Sequence, residues 1–432
     1  MTTHEPAAPT LVRAISRWQI ALLSVNDVIG SGVYLLPAGA AALLGPASTW
    51  AVVVAGFAVI LLVLCFAEAA SYFDQPGGGY LYTREAFGPF IGFEVGWMTW
   101  LARIASVAAL ANGLTLAAAY LWEPAATGYS RAALITATIG VLTWINVVGV
   151  RAGARTAIGL VIAKTVPLVF FILVGLSFVD WSSVASVEMP EAPRLGEAAL
   201  LLLFAYAGFE NTPAAAGEYR NPRRDVPVAL LAAIIFITLV YTLVQLVAVG
   251  TVPDLATVES PLAEAAGRFV GGWGALLMTV GAVLSIVGNI SNTTLVGPRY
   301  LFALARDGFG PRILARVHPR WHTPAAAIIT QAVVSLALAL SGSFVQLALL
   351  SIVARLATYM GTAAAVPILR RRFGDRPDAF KLPGGPAIPI AALVISVIFL
   401  SSTTRMNLLA GAIALVIGAV IYRFRGAATG SP

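Results

Sequence analysis

The sequence predicts an all-α polytopic membrane protein with twelve transmembrane helices, two of them interrupted. Three observations carry this. Of 432 residues, 59% are hydrophobic and only 11% charged, a balance foreign to soluble domains. Twelve apolar segments run at about 17–43, 46–73, 89–121, 131–149, 155–178, 197–218, 226–251, 270–305, 323–341, 343–368, 386–404 and 407–424. Each is near or above the ~20 residues that cross a bilayer. Counting these spans from a cytoplasmic N-terminus places twenty of the 27 Lys and Arg on the cytoplasmic side and four outside. That is the asymmetry of a membrane-inserted chain, and both termini are then cytoplasmic.

The N-terminal Met1 to Thr10 is polar, and no signal-peptide cleavage pattern follows it. The first segment then carries Gly30-Ser31-Gly32 at its centre and Pro37 soon after. Lipid offers no partner for a free N–H or C=O, so a spanning segment should be unbroken. Gly and Pro both weaken a helix, and the segment reads either as a kink or as an unwound helix whose freed backbone holds a ligand. After segment 2, Gln75-Pro76-Gly77-Gly78-Gly79-Tyr80 reads as a turn leading into a short interfacial helix ending near Phe87. Segment 6 repeats the anomaly of segment 1, with Gly208, Glu210, Asn211 and Pro213 inside an apolar run. Broken segments at matching places in two halves point to a transporter site between inverted repeats. Ser260-Pro261-Leu262-Ala263-Glu264 has a helix-capping pattern in an outer loop. Arg370 to Pro386 is a basic, Pro- and Gly-rich linker.

Composition excludes several functions. The net charge of +7 belongs to the cytoplasmic loops and not to nucleic-acid binding. The lone cysteine, Cys65, allows no intrachain disulfide. His4, His318 and His322 do not have metal-ligand spacing, and no nucleotide-binding loop is present. Neither metal nor cofactor nor enzyme activity is expected.

Several motifs together resemble the amino acid–polyamine–organocation transporters. They are Ile29-Gly30-Ser31-Gly32-Val33-Tyr34-Leu35-Leu36-Pro37, Pro76-Gly77-Gly78-Gly79-Tyr80, Phe204-Ala205-Tyr206-Ala207-Gly208-Phe209-Glu210, Gly217-Glu218-Tyr219-Arg220-Asn221-Pro222-Arg223-Arg224-Asp225-Val226-Pro227 and Arg299-Tyr300-Leu301-Phe302-Ala303-Leu304-Ala305-Arg306-Asp307-Gly308. The resemblance implies a five-plus-five inverted repeat, leucine-transporter-like, with helices 1 and 6 broken and two extra C-terminal helices. It divides the chain into a tail (1–16), a first repeat (17–178), an outer loop (179–196), a second repeat (197–368), a linker (369–385), helices 11 and 12 (386–425) and a C-terminal tail (426–432). It implies a bacterial inner-membrane secondary transporter of amino acids or amines, working by alternating access as a proton symporter or exchanger. Amino acid, protons and lipid bilayer are the expected partners; monomer and homodimer both suit the sequence.

Site residues follow from the two breaks. The N–H groups of Ser31, Gly32 and Val33, with the Ser31 hydroxyl, suit a substrate carboxylate, and Gly30 and Gly32 allow close approach. The carbonyls of Val28, Ile29, Phe204 and Ala207, with the chain turning at Gly208, suit an ammonium. The resemblance makes Phe204 a gating aromatic. Thr99, Ser106, Val107, Phe209 and Thr293 are expected to shape a neutral side-chain pocket, which favours a neutral amino acid; acidic or cationic amino acids and amines are the alternative, and a channel or transport-inactive sensor the different class. Three basic residues lie inside spans, Arg103, Lys164 and Arg355, and intramembrane charge marks function. Lys164, expected near the Gly30 carbonyls and Asn289, is the candidate proton carrier. The intramembrane acids are Asp27, Glu68 and Glu210. The expectation is an Asp27–Arg103 ion pair, with Glu210 bonding the unwound backbone and Glu68 anchoring loops.

Overall fold

The computed structural model describes residues 15–75, 77–148, 154–185, 188–374, 376 and 379–424. Most of both expected tails, Pro76 of the Pro-Gly-Gly-Gly-Tyr motif and parts of the expected linker lie outside them. The first segment is two helices, α1 (Arg17–Val28) and α2 (Ser31–Leu44), separated at Ile29 and Gly30. Gly30 has φ −134° and ψ −143°, which no helix continues through. Pro37 lies inside α2, within its second turn. A 3-10 turn at Gly45–Ala47 leads to α3 (Ser48–Ser71). The interfacial helix α4 (Gly78–Phe87) begins after positive-φ Gly77 and ends at Gly88, whose φ of 91° turns the chain into Pro89.

The long helix α5 (Pro89–Ala119) follows, then α6 (Gly128–Val148), α7 (Ala154–Gly175) and the short α8 (Trp181–Ala185). The second break separates α9 (Ala192–Tyr206) from a 3-10 stretch, Phe209–Glu218. The Asn211 and Thr212 side chains compete for backbone hydrogen bonds and Pro213 lacks an N–H, and α-helix does not resume until α10 (Pro222–Thr251). The expected outer helix is α11 (Pro261–Val270). Ser260 does not cap it; its hydroxyl donates to the Leu116 carbonyl at 3.3 Å and ties the helix to the end of α5. The rest is α12 (Gly272–Arg306), α13 (Ala325–Ser341), α14 (Phe344–Phe373), α15 (Ala387–Ser401) and α16 (Arg405–Arg423). Ser343 and Gln346 form a capping box at α14, and Thr404 caps α16.

No β-strand occurs among the described residues, only an isolated bridge between Ile15 and Tyr219. Eight helical stretches there are long and apolar enough to cross a membrane, and α13 and α15 are shorter apolar helices. The helix surface is apolar, exposing Phe57, Trp144, Leu173, Leu239 and Val416, while Arg103, Lys164, Glu210 and Arg355 are buried. That inversion of the soluble pattern places the protein in lipid. In the packing, α2 meets α9, α3 meets α10, α5 meets both α12 and α14, and α6 meets α13. The two breaks therefore face each other at the centre.

Candidate functional site

Backbone geometry brings the breaks together. Gly208 has φ 132°, and a Cβ there would lie 2.4 Å from the Asp27 carbonyl oxygen. A Cβ on Gly32 would lie 2.5 Å from the Cα of Ala205. Neither position admits a side chain, so the two broken segments touch backbone to backbone. Tyr241 of α10 spans both: its hydroxyl donates to the Ala205 carbonyl at 3.0 Å and to the Val28 carbonyl at 3.4 Å.

At the start of α2 no side chain caps the helix, and the buried Ser31 hydroxyl has no protein partner. Free N–H groups and positive dipole density make such an end an anion site. It opens on a central cavity of about 20 Å³, room for roughly one water. Of the residues expected at the site, Asp27, Val28, Gly30, Ser31, Gly32, Arg103, Phe204, Ala207, Gly208, Asn289, Thr293 and Arg355 line this cavity, as does Ser106. Leu110, Ala205 and Asn211 line it too.

Five residues expected in the substrate pocket lie elsewhere, among them Val107, which is buried in the main apolar core. Val33 faces a smaller cavity toward α10. Thr99 bonds Thr358 at 2.7 Å, joining α5 to α14. Phe209 stacks on Tyr359 and meets the edge of Phe66. The Ile29 carbonyl, expected to face an ammonium, accepts from Lys164 Nζ at 2.7 Å and from Ser285 Oγ at 3.3 Å. Both its lone pairs are then occupied. Lys164 also donates to the Asn26 carbonyl at 2.6 Å. Asn289 donates to the Asp27 carbonyl at 3.4 Å, so the α12 group sharing an acceptor with Lys164 is Ser285, one turn earlier.

The buried charges pair differently from the expected Asp27–Arg103 bridge. Asp27 accepts from Asn292 Nδ2 at 2.7 Å. Arg103 Nη2 donates to Glu210 Oε1 at 3.1 Å and also to Asn211. Arg355 donates to the same Glu210 oxygen, to Ser106 Oγ at 2.7 Å and to Ser351 Oγ at 3.3 Å. The other oxygen, Oε2, accepts the Gly208 N–H at 2.9 Å and the Tyr359 hydroxyl at 3.2 Å. The reason is placement: the 3-10 stretch turns Glu210 back over its own break, where α5 and α14 converge. Glu68 takes a bidentate bond from Arg370, both contacts 2.6 Å, and the Leu382 N–H at 3.0 Å, so it ties the linker to α3. The sequence marks Asn211 only as part of the break, and does not single out Ser285 or Tyr359. Helical spacing was the available signal for these two, since Ser285 precedes Asn289 by one turn and Tyr359 follows Arg355 by one.

The two ends of the molecule differ around the cavity. At the end with the basic loops, a vestibule of about 650 Å³ is lined by Tyr80, Arg84, Ala214, Arg299 and Ala303 and reaches Asn211. Toward the other end, Phe204 meets Phe344 edge-on at 5.9 Å, and the space among α2, α5, α11 and α12 shrinks to about 10 Å³.

Residues 15–425 match the amino acid permease family. Among curated proteins, the chain is 28% identical over 443 residues to the branched-chain amino acid permease BcaP of Bacillus subtilis (strain 168), covering 96% of this chain and 93% of that one. It is 28% identical over 432 residues to the methylthioribose transporter of the same organism, with the same coverage. It is 29% identical over 407 residues to its serine/threonine exchanger SteT, covering 92% of each chain. These are permeases and transporters rather than enzymes, and their named cargoes differ at nearly equal identity. With a match across almost its whole length, the chain belongs to the amino acid permease family, within the amino acid–polyamine–organocation group its motifs resemble.

Proposed function

We propose that this protein is a secondary active transporter of amino acids in the bacterial plasma membrane, working by alternating access. The observation that carries the reading is the uncapped start of α2, with the unpartnered Ser31 hydroxyl, opening on a cavity between two apposed helix breaks. A carboxylate fits the N–H groups of Ser31, Gly32 and Val33. The Ala207 carbonyl, on the cavity wall, is the acceptor for the ammonium. The cavity is too small for an amino acid as it stands, so binding requires α5, α9 and α12 to part.

Twelve crossings with cytoplasmic termini and a five-plus-five inverted repeat belong to this reading. The pairings of α2 with α9, α3 with α10, α5 with α12 and α6 with α13 support the repeat, because each joins elements at matching places in the two halves. The vestibule among basic residues then opens to the cytoplasm, and the Phe204–Phe344 contact closes the outer path.

Lys164 is the coupling group of the proposal. Its ammonium occupies carbonyls at the end of α1, and losing a proton would remove the charge that strengthens those bonds and loosen that end of the break. Of the neutral pocket expected from the sequence, Ser106, Phe204 and Thr293 line the cavity, together with Arg103 and Arg355. The test is counterflow in proteoliposomes. Labelled amino acid should accumulate when unlabelled amino acid is inside, and a pH gradient should drive uptake without sodium. A protein that catalyses no counterflow of any amino acid is not this transporter.

A further inference from the structure

The charges around the cavity do not balance. Arg103 and Arg355 share the single carboxylate of Glu210. That carboxylate is saturated: Oε1 takes both guanidinium groups, and Oε2 takes the Gly208 N–H and the Tyr359 hydroxyl. Lys164 stands opposite Asp27, whose carboxylate is held by Asn292. Among the described residues at the site, three cations therefore face two carboxylates. The next acid along α5, Glu94, lies against Gly418 of α16, about two and a half turns from Arg103.

A surplus charge away from water is costly unless a counter-charge meets it. Arg103 is 2% exposed, yet its Nε–H has no partner. Its Nη2, the nitrogen sharing an edge with Nε, already serves Glu210 and Asn211, so an arriving carboxylate would be met by the free Nε–H in a charge-assisted bond. Arg355 has no such unpartnered buried donor, its bonds being spread over Glu210, Ser106 and Ser351. Arg103 thus keeps one donor, its Nε–H, for an anion, and Arg355 holds Glu210 in place. The start of α2 is a second, separate anion site on the same cavity, with its own buried and unpartnered group at Ser31.

We infer that the substrate carries two acid groups and one ammonium: an α-amino acid whose side chain ends in a carboxylate. The α-carboxylate sits on the N–H groups of α2, and the side-chain carboxylate sits on Arg103, cancelling the surplus charge. The inference rests on the transporter reading above and names its substrate class.

The test uses the full chain in proteoliposomes and counterflow of labelled L-glutamate, L-aspartate, L-glutamine, L-leucine, L-arginine and succinate. Glutamate or aspartate should exchange at least about tenfold faster than glutamine and leucine. Succinate, with two carboxylates and no ammonium, should not exchange. Arg103→Gln should raise the KM for the acidic substrate at least about tenfold and narrow its advantage over glutamine, with Arg103→Lys intermediate. The screen of the unmodified protein stands alone should either variant fold poorly. Exchange of neutral or cationic amino acids with acidic ones inert overturns the inference and leaves the transporter reading intact. Succinate exchanging as well as glutamate overturns the amino acid class. No exchange of any amino acid overturns the transporter reading itself.

Discussion

Glu210 shows how one side chain binds three elements. It closes its own break through the Gly208 N–H and clamps α5 and α14 through two arginines. Removing one member of a buried ion pair costs about 3–5 kcal/mol, because the partner charge stays buried. Glu210→Gln should therefore lower the unfolding midpoint in detergent by several degrees. Adding Arg103→Gln should recover part of the loss; a double variant no better than the single one would mean that the charge cluster is not the cause. Lys164 makes a different prediction. Lys164→Gln keeps donors for the Asn26 and Ile29 carbonyls but cannot carry a proton. Exchange should survive while uptake becomes flat against external pH. A variant whose uptake still follows pH as the parent does would remove Lys164 from coupling. Composition had already singled out these residues, since charge within an apolar span is conspicuous. Their pairing was not legible, because Asp27 and Glu210 are equally plausible partners for Arg103 until the chain's turn at Gly208 is known.

At the scale of elements, the two breaks work because glycine lets them touch. The positive φ of Gly208 and the Asp27 carbonyl beside it leave no room for a methyl group. Strain of this kind costs roughly 1–3 kcal/mol, and the clash adds to it. Gly208→Ala should abolish counterflow and lower thermal stability, whereas Gly140→Ala, in open space on α6, should do neither. Active transport by Gly208→Ala would show that the contact between breaks is dispensable. The breaks themselves were readable, because Gly and Pro inside a membrane span are a departure from what lipid tolerates. The side chains facing the cavity were less so. Thr99 and Phe209 have the right character but face α14 and Phe66, since which face of a helix meets the cavity depends on packing angles that spacing alone leaves open.

Across the whole molecule, the proposed orientation opens the vestibule to the cytoplasm. On a Cys65→Ser background, Ala303→Cys, on the vestibule wall, should react with a membrane-impermeant maleimide from the cytoplasmic side. Saturating substrate should change the rate as the protein cycles. Labelling only from the outside would reverse the assigned orientation.

Amino-acid order alone determined the helices, the two interruptions and the buried charges. These are local consequences of a solvent that accepts neither free backbone groups nor unpaired ions. Only the tertiary structure decided which charges meet, which carbonyls Lys164 occupies and that Arg103 keeps an unused donor. Those depend on contacts between residues more than a hundred positions apart, such as Arg103 with Glu210 and Lys164 with Ile29, and no periodicity in the chain encodes such distances.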